Sequence, residues 1–202
     1  MRVVSFFTGD GVYRQFAEKL RASCERFGVP YDIDEFPSTG DWIRNLAKKP
    51  RFLLDKLDKH RGPVVWMDAD CEICQEPAVL REASARGDVD FMCYNLFADA
   101  GNGLTEIHDP TRLHSSSGVM YIADTPAARG FIAQWGEMCE ENPDQRDDFV
   151  LNYTFARRRN TELRARWLPR EYNRMDMYFP QTTPVINHVY RDGQLFIAKP
   201  KA

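Results

Sequence analysis

Residues 63–74, Pro-Val-Val-Trp-Met-Asp-Ala-Asp-Cys-Glu-Ile-Cys, decide how this 202-residue chain is interpreted. The apolar run from Val64 to Met67 is typical of a strand that is buried on both faces. Asp68 and Asp70 end that strand, and residues two apart on an extended backbone project to the same side. We therefore predict that both carboxylates face one spot at the carboxyl end of a central strand, where open α/β sheets bind ligands.

The two acids have a chemistry of their own. Carboxylate oxygens at a strand end suit Mg²⁺ or Mn²⁺, and such ions commonly carry substrate phosphates. The alternative is a strand that runs into an acidic, solvated turn, because Asp-x-Asp is a short pattern. Cys71 and Cys74 follow as Cys-x-x-Cys, but no second pair or histidine stands at the spacing that zinc requires. We interpret the five cysteines as structural free thiols in a reducing cytoplasm.

Composition favours a single domain over residues 1–202 with enough chain to bury a proper core. Apolar residues make up 43% of the chain, and a net charge of −3 gives no global basic field to recruit nucleic acid. The sequence contains no apolar run long enough to span a membrane and no visible secretory signal. These features together predict a cytoplasmic protein.

The first part of the chain has the pattern of a β-α-β unit. A strand is predicted over 3–7, an amphipathic helix over 12–27 and a second strand over 31–35. The first turn is glycine-rich, although Arg14 stands where the dinucleotide fingerprint needs its third glycine. The turn either offers backbone N–H groups and a helix N-terminus to a nucleotide or is a plain tight turn. The candidate nucleotide contacts here are Thr8, Gly9, Asp10 and Tyr13.

The rest of the chain continues to alternate. Helices are predicted over 41–48, 52–60, 77–86, 126–141 and 145–157, and strands over 89–94, 118–123, 166–168 and 185–190. The segment from 95 to 117 is a long loop, which in a compact domain is usually functional or mobile. Lys48, Lys49 and Arg51 form either a solvated face or a contact to diphosphate oxygens. The alternation predicts an α/β fold with a mixed, mostly parallel central sheet flanked by helices.

Six segments, in this order, carry a resemblance to a known family. They are 49–53 (Lys-Pro-Arg-Phe-Leu), 65–70 (Val-Trp-Met-Asp-Ala-Asp), 116–120 (Ser-Ser-Gly-Val-Met), 147–152 (Asp-Asp-Phe-Val-Leu-Asn), Leu168-Pro169 with Tyr172-Asn173, and 186–188 (Ile-Asn-His). Together they resemble the retaining GT-A glycosyltransferases, the galactosyltransferase and glycogenin-like group and the related nucleotide-diphospho-sugar transferases. The resemblance implies one GT-A, Rossmann-like domain that moves a sugar from a nucleotide diphosphate, with UDP expected, to an acceptor hydroxyl with retention.

The same resemblance implies roles for particular residues. Asp68, Asp70 and His188 would hold Mn²⁺ or Mg²⁺, and Asp147 and Asp148 would act as catalytic carboxylates beside the sugar. The implied donor contacts are Thr8, Gly9, Asp10, Tyr13, Lys49, Arg51, Asp68, Ala69, Ser116, Ser117, Gly118, Arg191 and Lys199. The alternatives are that His188 is a structural histidine and that the acid pair is a solvated first turn of a helix.

The chain departs from the family pattern at three places. Ser116-Ser117-Gly118 replaces Asn-Ala-Gly, so a hydroxyl would make a sugar contact that an amide usually makes. Asp148 replaces a glutamine, which would change donor choice or mechanism. Lys199-Pro200 comes late and no Trp follows, which leaves open whether Arg191 or Lys199 meets phosphate. The chain is also short for the family, so we expect a minimal acceptor-binding region.

Two rival functions remain at this point. A phosphotransferase of the haloacid dehalogenase type would use Asp68 as nucleophile and Asp70 as acid or base. Against it, the acidic motif follows a full β-α-β unit, and no lysine occurs between His60 and Phe196. A non-catalytic binding module is the other rival, and the intact acidic motif argues against it.

The acceptor is the least determined part. Arginines interleaved with aromatic residues crowd the last third of the chain, namely Arg157, Arg158, Arg159, Arg164, Arg166, Arg170 and Arg174 with Trp167, Tyr172 and Tyr178. They form either an ion-paired surface or a grip on a phosphate backbone with aromatics for a displaced base. We expect a saccharide or lipid-linked acceptor, with a hydroxymethylated base of phage-type DNA as the other option.

Overall fold

The computed structural model describes residues 1–9, 11–96, 114–158, 162–175 and 179–188. Nine strands are assigned in these ranges: β1 Arg2–Thr8, β2 Tyr31–Phe36, β3 Val64–Met67, β4 Cys71–Ile73, β5 Phe91–Asn95, β6 Ser115–Ile122, β7 Ala165–Trp167, β8 Arg174–Met175 and β9 Ile186–His188. The helices there are α1 Val12–Arg26, α2 Trp42–Leu46, α3 Lys49–His60, α4 Ala78–Arg86, α5 Pro126–Glu141 and α6 Asp147–Ala156.

The central sheet has six strands in the order β2-β1-β3-β6-β5-β7. The pairs β1/β2, β1/β3 and β5/β7 are parallel, whereas β6 runs antiparallel to both of its neighbours. Five of the six strands therefore point the same way, which confirms the predicted α/β class with a mostly parallel sheet. A second sheet of three short strands, β4-β9-β8, lies outside this one.

Two layers of helices cover the central sheet. Along β3, Val64 and Trp66 face the core that includes α3, α5 and α6, whereas Val65 and Met67 face the core that includes α1 and α4. All four residues of β3 are buried. The apolar run of the opening stretch is thus the predicted strand buried on both faces, because side chains of a strand alternate between the two layers.

Local signals place most helix ends correctly. Thr125 caps α5, as its sequence position predicts, and its Oγ1 accepts a hydrogen bond from the backbone N of Ala128 at 3.2 Å. Pro50 does not separate two helices but lies in the first turn of α3, where its missing N–H costs no hydrogen bond. The helix predicted over 52–60 therefore begins at Lys49.

The backbone from Asp68 to Asp70 is not the extended strand that was predicted to carry both carboxylates. β3 ends at Met67, and Ala69 and Asp70 form a turn rather than a continued strand. The backbone N of Cys71 donates to the carbonyl of Asp68 at 2.9 Å and closes that turn. β4 begins immediately afterwards; neither it nor the two-residue β8 was predicted. β6 begins at Ser115, three residues before the predicted start, so Ser116 and Ser117 lie in a strand.

Within the described ranges, no helix combines the length and the apolar character needed to cross a bilayer.

Candidate functional site

Asp68 stands at the carboxyl end of β3, and its two oxygens have different surroundings. Oδ1 accepts hydrogen bonds from the indole Nε1 of Trp66 at 2.9 Å and from Nζ of Lys49 at 3.2 Å. Oδ2 lies on the side of Gly118, 3.3 Å from the point that a Cβ on this glycine would occupy. Two donors therefore orient the carboxylate and leave one oxygen directed at the neighbouring strand β6.

His188 reaches the same place from a distant part of the sequence. β9 pairs with β4 so that His188 lies opposite Cys71, and its side chain is buried. The Sγ atom of Cys71 is 3.6 Å from Nδ1 of His188. A Cβ on Gly118 would overlap Cε1 of the imidazole and lie 3.3 Å from Nε2. Glycine at position 118 is thus what allows Asp68 and His188 to approach each other over the β6 backbone.

The donor atoms assembled here fit a divalent cation. The ligand atoms of Asp70, Cys71 and His188 all lie within 4.8 Å of one another. Oδ2 of Asp68 is directed at Gly118, the glycine against which His188 also packs. Burial, and then the charge of Asp68, raise the pKa of Asp70 to about 7, because two crowded acids ionise together only at a cost. Burial lowers the pKa of His188, so the imidazole is neutral, the form that binds metals.

Cys71 is a member of this group that the sequence did not identify. We interpreted its thiol as a purely structural one, and nothing in the local sequence indicates otherwise. Only the pairing of β4 with β9 shows that the thiol lies against the imidazole. Burial, followed by the negative charges of Asp70 and Asp68, raises the pKa of Cys71 well above its usual value. Cys71 therefore contributes a neutral thiol.

Lys49 occupies a different place from the predicted one. The sequence suggested a contact to diphosphate, but only 1% of its side chain is exposed and protein groups surround the ammonium. Nζ lies 2.7 Å from Oδ2 of Asp147 and 3.2 Å from both the carbonyl and the hydroxyl of Ser117. Burial alone would lower the pKa of Lys49, but the charges of Asp147 and Asp68 outweigh it and raise the pKa. Arg51, also predicted to contact donor, instead projects into solvent and pairs with Asp55 at 3.1 Å.

The two acids that begin α6 have separate environments. Asp147 is buried, paired with Lys49, and held by its backbone carbonyl, which accepts from Nε1 of Trp135 at 3.1 Å. Asp148 is half-buried and forms an ion pair with Arg146 at 2.6 Å. Burial raises the pKa of Asp148. Of the two predicted catalytic carboxylates, only Asp148 is therefore left accessible.

The serines of β6 make local contacts. Oγ of Ser117 faces Lys49, and Oγ of Ser116 accepts from the backbone N of Gly118 at 3.2 Å. One residue earlier, the backbone N of Ser115 donates to Oδ1 of Asn152 on α6 at 2.9 Å. These bonds hold the start of β6 against α6, so the strand that carries Gly118 is fixed to the helix that carries the acid pair.

A cavity of about 530 Å³ opens beyond β1 and β2, lined by Gly9, Glu35, Phe36, Pro37 and Ser38. This is the carboxyl end of two parallel strands, where open α/β sheets receive nucleotides. Thr8 is the last residue of β1, and Gly9 follows it against the carboxylate of Glu35. The backbone of Gly9 thus forms one wall of this cavity.

Tyr13 connects this region to the acidic turn. Its ring packs against the small cluster of Phe7, Ala17 and Ala69. Ala69, the residue between the two acids, is therefore in one apolar cluster with the start of α1. The predicted contacts Asp10, Arg191 and Lys199 lie outside the described residues.

Several arginines of the last third are engaged within the protein, among the residues that the structure describes. Arg164 forms a two-pronged ion pair with the buried Asp90, at 2.8 and 3.0 Å, and Arg166 pairs with Asp88 at 3.4 Å. Trp167 and Tyr172 are buried in the two cores. Two of the three aromatic side chains that the DNA option assigns to a displaced base are therefore buried in the fold, and the third, Tyr178, lies outside the described residues.

An α/β fold with an acid pair and an imidazole at the carboxyl end of its central strand belongs to the nucleotide-binding α/β class. A profile of the family described as nucleotide-diphospho-sugar transferase matches residues 4–197. The chain belongs to this family, and it is a glycosyltransferase of the GT-A type. No curated protein sequence gives a significant match.

A solved structure extends the comparison of folds. The crystal structure of a glycosyltransferase involved in the glycosylation of the major capsid of PBCV-1 is similar, with a TM-score of 0.66 and 13% sequence identity. The match covers 95% of this chain and 96% of that one. At such low identity the likeness supports the fold, which is the same along nearly the whole length of both chains.

Proposed function

We propose that this glycosyltransferase moves a sugar from a UDP-sugar to an acceptor hydroxyl in a reaction that depends on Mn²⁺ or Mg²⁺. The observation that carries the proposal is that His188 approaches Asp68 over the backbone of Gly118 and lies with Asp70 and Cys71 in a group whose ligand atoms are within 4.8 Å of one another. Retention of configuration is proposed on the resemblance to retaining enzymes.

Asp68, Asp70 and His188 would hold the divalent cation. Their carboxylate oxygens and neutral imidazole nitrogen are the donors that such cations take in proteins. The raised pKa of Asp70 supports this assignment, because a cation would relieve the repulsion between the two acids. When bound, the metal neutralises the charge that develops on the diphosphate leaving group.

The remaining residues of the site orient and stabilise. Lys49 bonds Asp68 and Asp147 at once, so it fixes the direction of one acid of the turn relative to the start of α6. Asp148 is the carboxylate that would face the donor sugar and stabilise positive charge at its anomeric carbon. The cavity beside Gly9 and Glu35 would receive the base of the nucleotide.

We propose a saccharide or lipid-linked acceptor rather than DNA. The burial of Trp167 and Tyr172, and the pairing of Arg164 and Arg166 with acids, remove much of what favoured a displaced base. The five cysteines are free thiols, which supports the proposal of a reducing, cytoplasmic location.

A thermal-shift panel of nucleoside diphosphates with and without Mn²⁺ tests the proposal. We expect UDP to stabilise the protein only with metal, by about 3 kcal/mol at a hundred times its dissociation constant. The shift should vanish in Asp70→Ala and persist in Glu18→Ala, which removes an exposed acid on α1. A shift that does not need metal, or that survives in Asp70→Ala, contradicts the proposed site.

The products that are released distinguish sugar transfer from the phosphotransferase alternative. Incubation with UDP-glucose or UDP-galactose and Mn²⁺ should release UDP slowly by donor hydrolysis. Incubation with p-nitrophenyl phosphate should release no phosphate above background. The opposite pattern would assign Asp68 and Asp70 to phosphoryl transfer and refute sugar transfer.

A further inference from the structure

Three aromatic rings stand out among the exposed side chains of the described residues. Trp42 is 39% exposed, and Phe149 and Tyr153 are each 45% exposed. Phe149 and Tyr153 are four residues apart on α6, so they share one face of that helix. Trp42 comes from α2, in the connection between β2 and α3. Exposed aromatic rings that gather at one place mark a binding surface.

Arg146 joins two of these rings to the candidate catalytic acid. Its guanidinium carbon is 5.8 Å from the ring centroid of Trp42 and 5.6 Å from that of Phe149. Its Nη2 atom lies 2.6 Å from Oδ2 of Asp148. Trp42, Phe149, the guanidinium and the acid are therefore contiguous, and Tyr153 lies one helical turn beyond Phe149 on the same face of α6. Phe149 follows Asp148 directly in the sequence, so this surface borders the point where the donor sugar would lie.

We propose that Trp42, Phe149 and Tyr153, together with Arg146, form the acceptor subsite and that its occupant is a pyranoside. The proposal rests on the proposed function, since it places the acceptor beside Asp148. A pyranose ring has an apolar C–H face and a rim of hydroxyl groups. The C–H face suits the negative face of an aromatic ring, and the hydroxyls suit the donors of a guanidinium.

The charge of this surface favours a sugar over a membrane. A membrane-binding face combines aromatic and aliphatic side chains with unneutralised basic residues that attract anionic lipid. Here Asp148 balances the charge of Arg146 at a distance of 2.6 Å, and the exposed apolar side chains that define the surface are three aromatic rings. Flat rings beside polar donors are the arrangement that a neutral, hydroxylated ring requires.

Saturation-transfer NMR tests the proposal with a panel of methyl α- and β-pyranosides of glucose, galactose, mannose and N-acetylglucosamine, in the presence of UDP and Mn²⁺. We expect at least one pyranoside to bind. Trp42→Ala and Phe149→Ala should each weaken that binding about fivefold, the effect of losing one ring contact. Trp42→Phe, which keeps a ring, should restore most of the affinity.

The matched control is Tyr31→Ala. It removes a tyrosine at the amino end of β2, away from the carboxyl end where the candidate site lies. It should leave pyranoside binding unchanged. The metal-dependent thermal shift with UDP should be the same in all these variants, because none of the side chains of Trp42, Phe149 and Tyr31 is among those proposed to hold the metal or UDP. Absence of that shift in the unmutated protein would refute the proposed function. If the shift is present, a change in pyranoside binding reports on the acceptor subsite alone.

Three outcomes would overturn the inference. One is that no pyranoside of the panel binds a protein that still responds to UDP and Mn²⁺. Another is that both alanine variants bind as tightly as the unmutated chain. The third is that Trp42→Ala abolishes co-sedimentation with phosphatidylglycerol vesicles, or dissociates a dimer in light scattering, without changing pyranoside binding.

Discussion

Helix α3 carries two buried lysines. One belongs to the candidate site, and the other only stabilises the fold. Lys49 and Lys56 are two helical turns apart and so lie on nearly the same face. Each ammonium pairs with two aspartates, Asp147 and Asp68 for Lys49 and Asp32 and Asp34 for Lys56. Each also lies 4.9 Å from an aromatic centroid, of Trp66 and Phe52 respectively.

The two clusters differ in redundancy. Asp32 accepts not only from Lys56 at 2.7 Å but also from Lys59 at 2.9 Å and His60 at 2.7 Å. Within the described residues, Asp147 by contrast forms its ion pair with Lys49 alone, at 2.7 Å. Removing one cation therefore leaves Asp32 paired and Asp147 stranded. Similar ion pairs therefore have different consequences. The ion pairs of Lys56 are backed up by other cations, whereas those of Lys49 hold residues of the candidate site and have no substitute among the described residues.

Lys49→Met should have the largest effect. It leaves the buried Asp147 without its cation, which costs about 3–5 kcal/mol of unfolding free energy, and it removes one of the two donors to Asp68. We expect UDP release from a UDP-sugar to fall below detection, since Asp68 and the start of α6 lose their common anchor. Urea denaturation and a UDP-release assay measure the two effects.

The double variant Lys49→Met with Asp147→Leu keeps this prediction testable if the single variant does not fold. It replaces a buried ion pair with apolar groups, which is often neutral for stability. We expect stability to recover and activity to stay lost. Recovery of both would mean that Lys49 stabilises the fold and positions nothing.

Lys56→Met should cost about 2 kcal/mol, because Asp32 keeps Lys59 and His60 while Asp34 is partly open to water. The metal-dependent shift with UDP and the rate of UDP release should not change. Urea denaturation at pH 7 gives the first quantity. If Lys56→Met inactivated the enzyme as Lys49→Met does, the distinction between the two clusters would be lost.

Acid should weaken the Lys56 cluster through Asp32. Burial would raise the pKa of Asp32, but hydrogen bonds from Lys56, Lys59 and His60 outweigh it and lower the pKa. The stabilising contribution is complete above the ordinary aspartate value of about 4, and it is lost as the pH falls toward the lower folded pKa.

The variant Asp32→Asn measures this contribution. Its free energy of unfolding should be about 1 kcal/mol below that of the unmutated protein at pH 7, and the difference should become smaller as the pH is lowered to 3. Urea midpoints at the two pH values give the comparison. A gap that widens with acid would have the wrong sign for a depressed pKa.

Ser117→Ala is the mildest change at the Lys49 end. It removes the hydroxyl contact to Nζ of Lys49 but keeps the contact from the carbonyl of the same residue at 3.2 Å. We expect a loss of about 0.5–1 kcal/mol and a modest drop in the rate of UDP release. Differential scanning calorimetry and the release assay are sensitive enough. A loss as large as that of Lys49→Met would show that the hydroxyl, rather than the ion pairs, fixes the lysine.

The sequence predicted the local parts of this contrast and missed the long-range ones. The fold class, the β-α-β unit, β3 and the first turn of α6 follow from periodicity and caps, which act over a few residues. Lys49 was expected either on a solvated face, as is usual for a charge run, or against diphosphate oxygens, and nothing near position 49 indicates Asp147. Burial of that lysine depends on how α3, α5 and α6 pack together, and packing is not encoded in local spacing.

The metal candidates show the same division. Asp68 and Asp70 could be found because they are neighbours, and His188 only through the resemblance. Cys71 was missed because its relation to His188 arises from the pairing of two three-residue strands. Strands of this length carry too little alternation to be recognised from sequence. The turn at Ala69 was missed for a similar reason, since an acidic pair continues a strand as readily as it ends one.

The pairing of β4 with β9 has a consequence for how the enzyme is made. The residues Cys71 and His188, which touch in the finished protein, are 117 positions apart along the chain. A ribosome therefore completes nearly all of the central sheet before the imidazole exists, and a contact of such sequence separation forms slowly. During translation Asp68 and Asp70 are therefore present long before His188, the proposed third metal ligand. If His188 holds the proposed metal, incomplete chains that end before residue 188 would lack a complete metal site and would not consume nucleotide sugar.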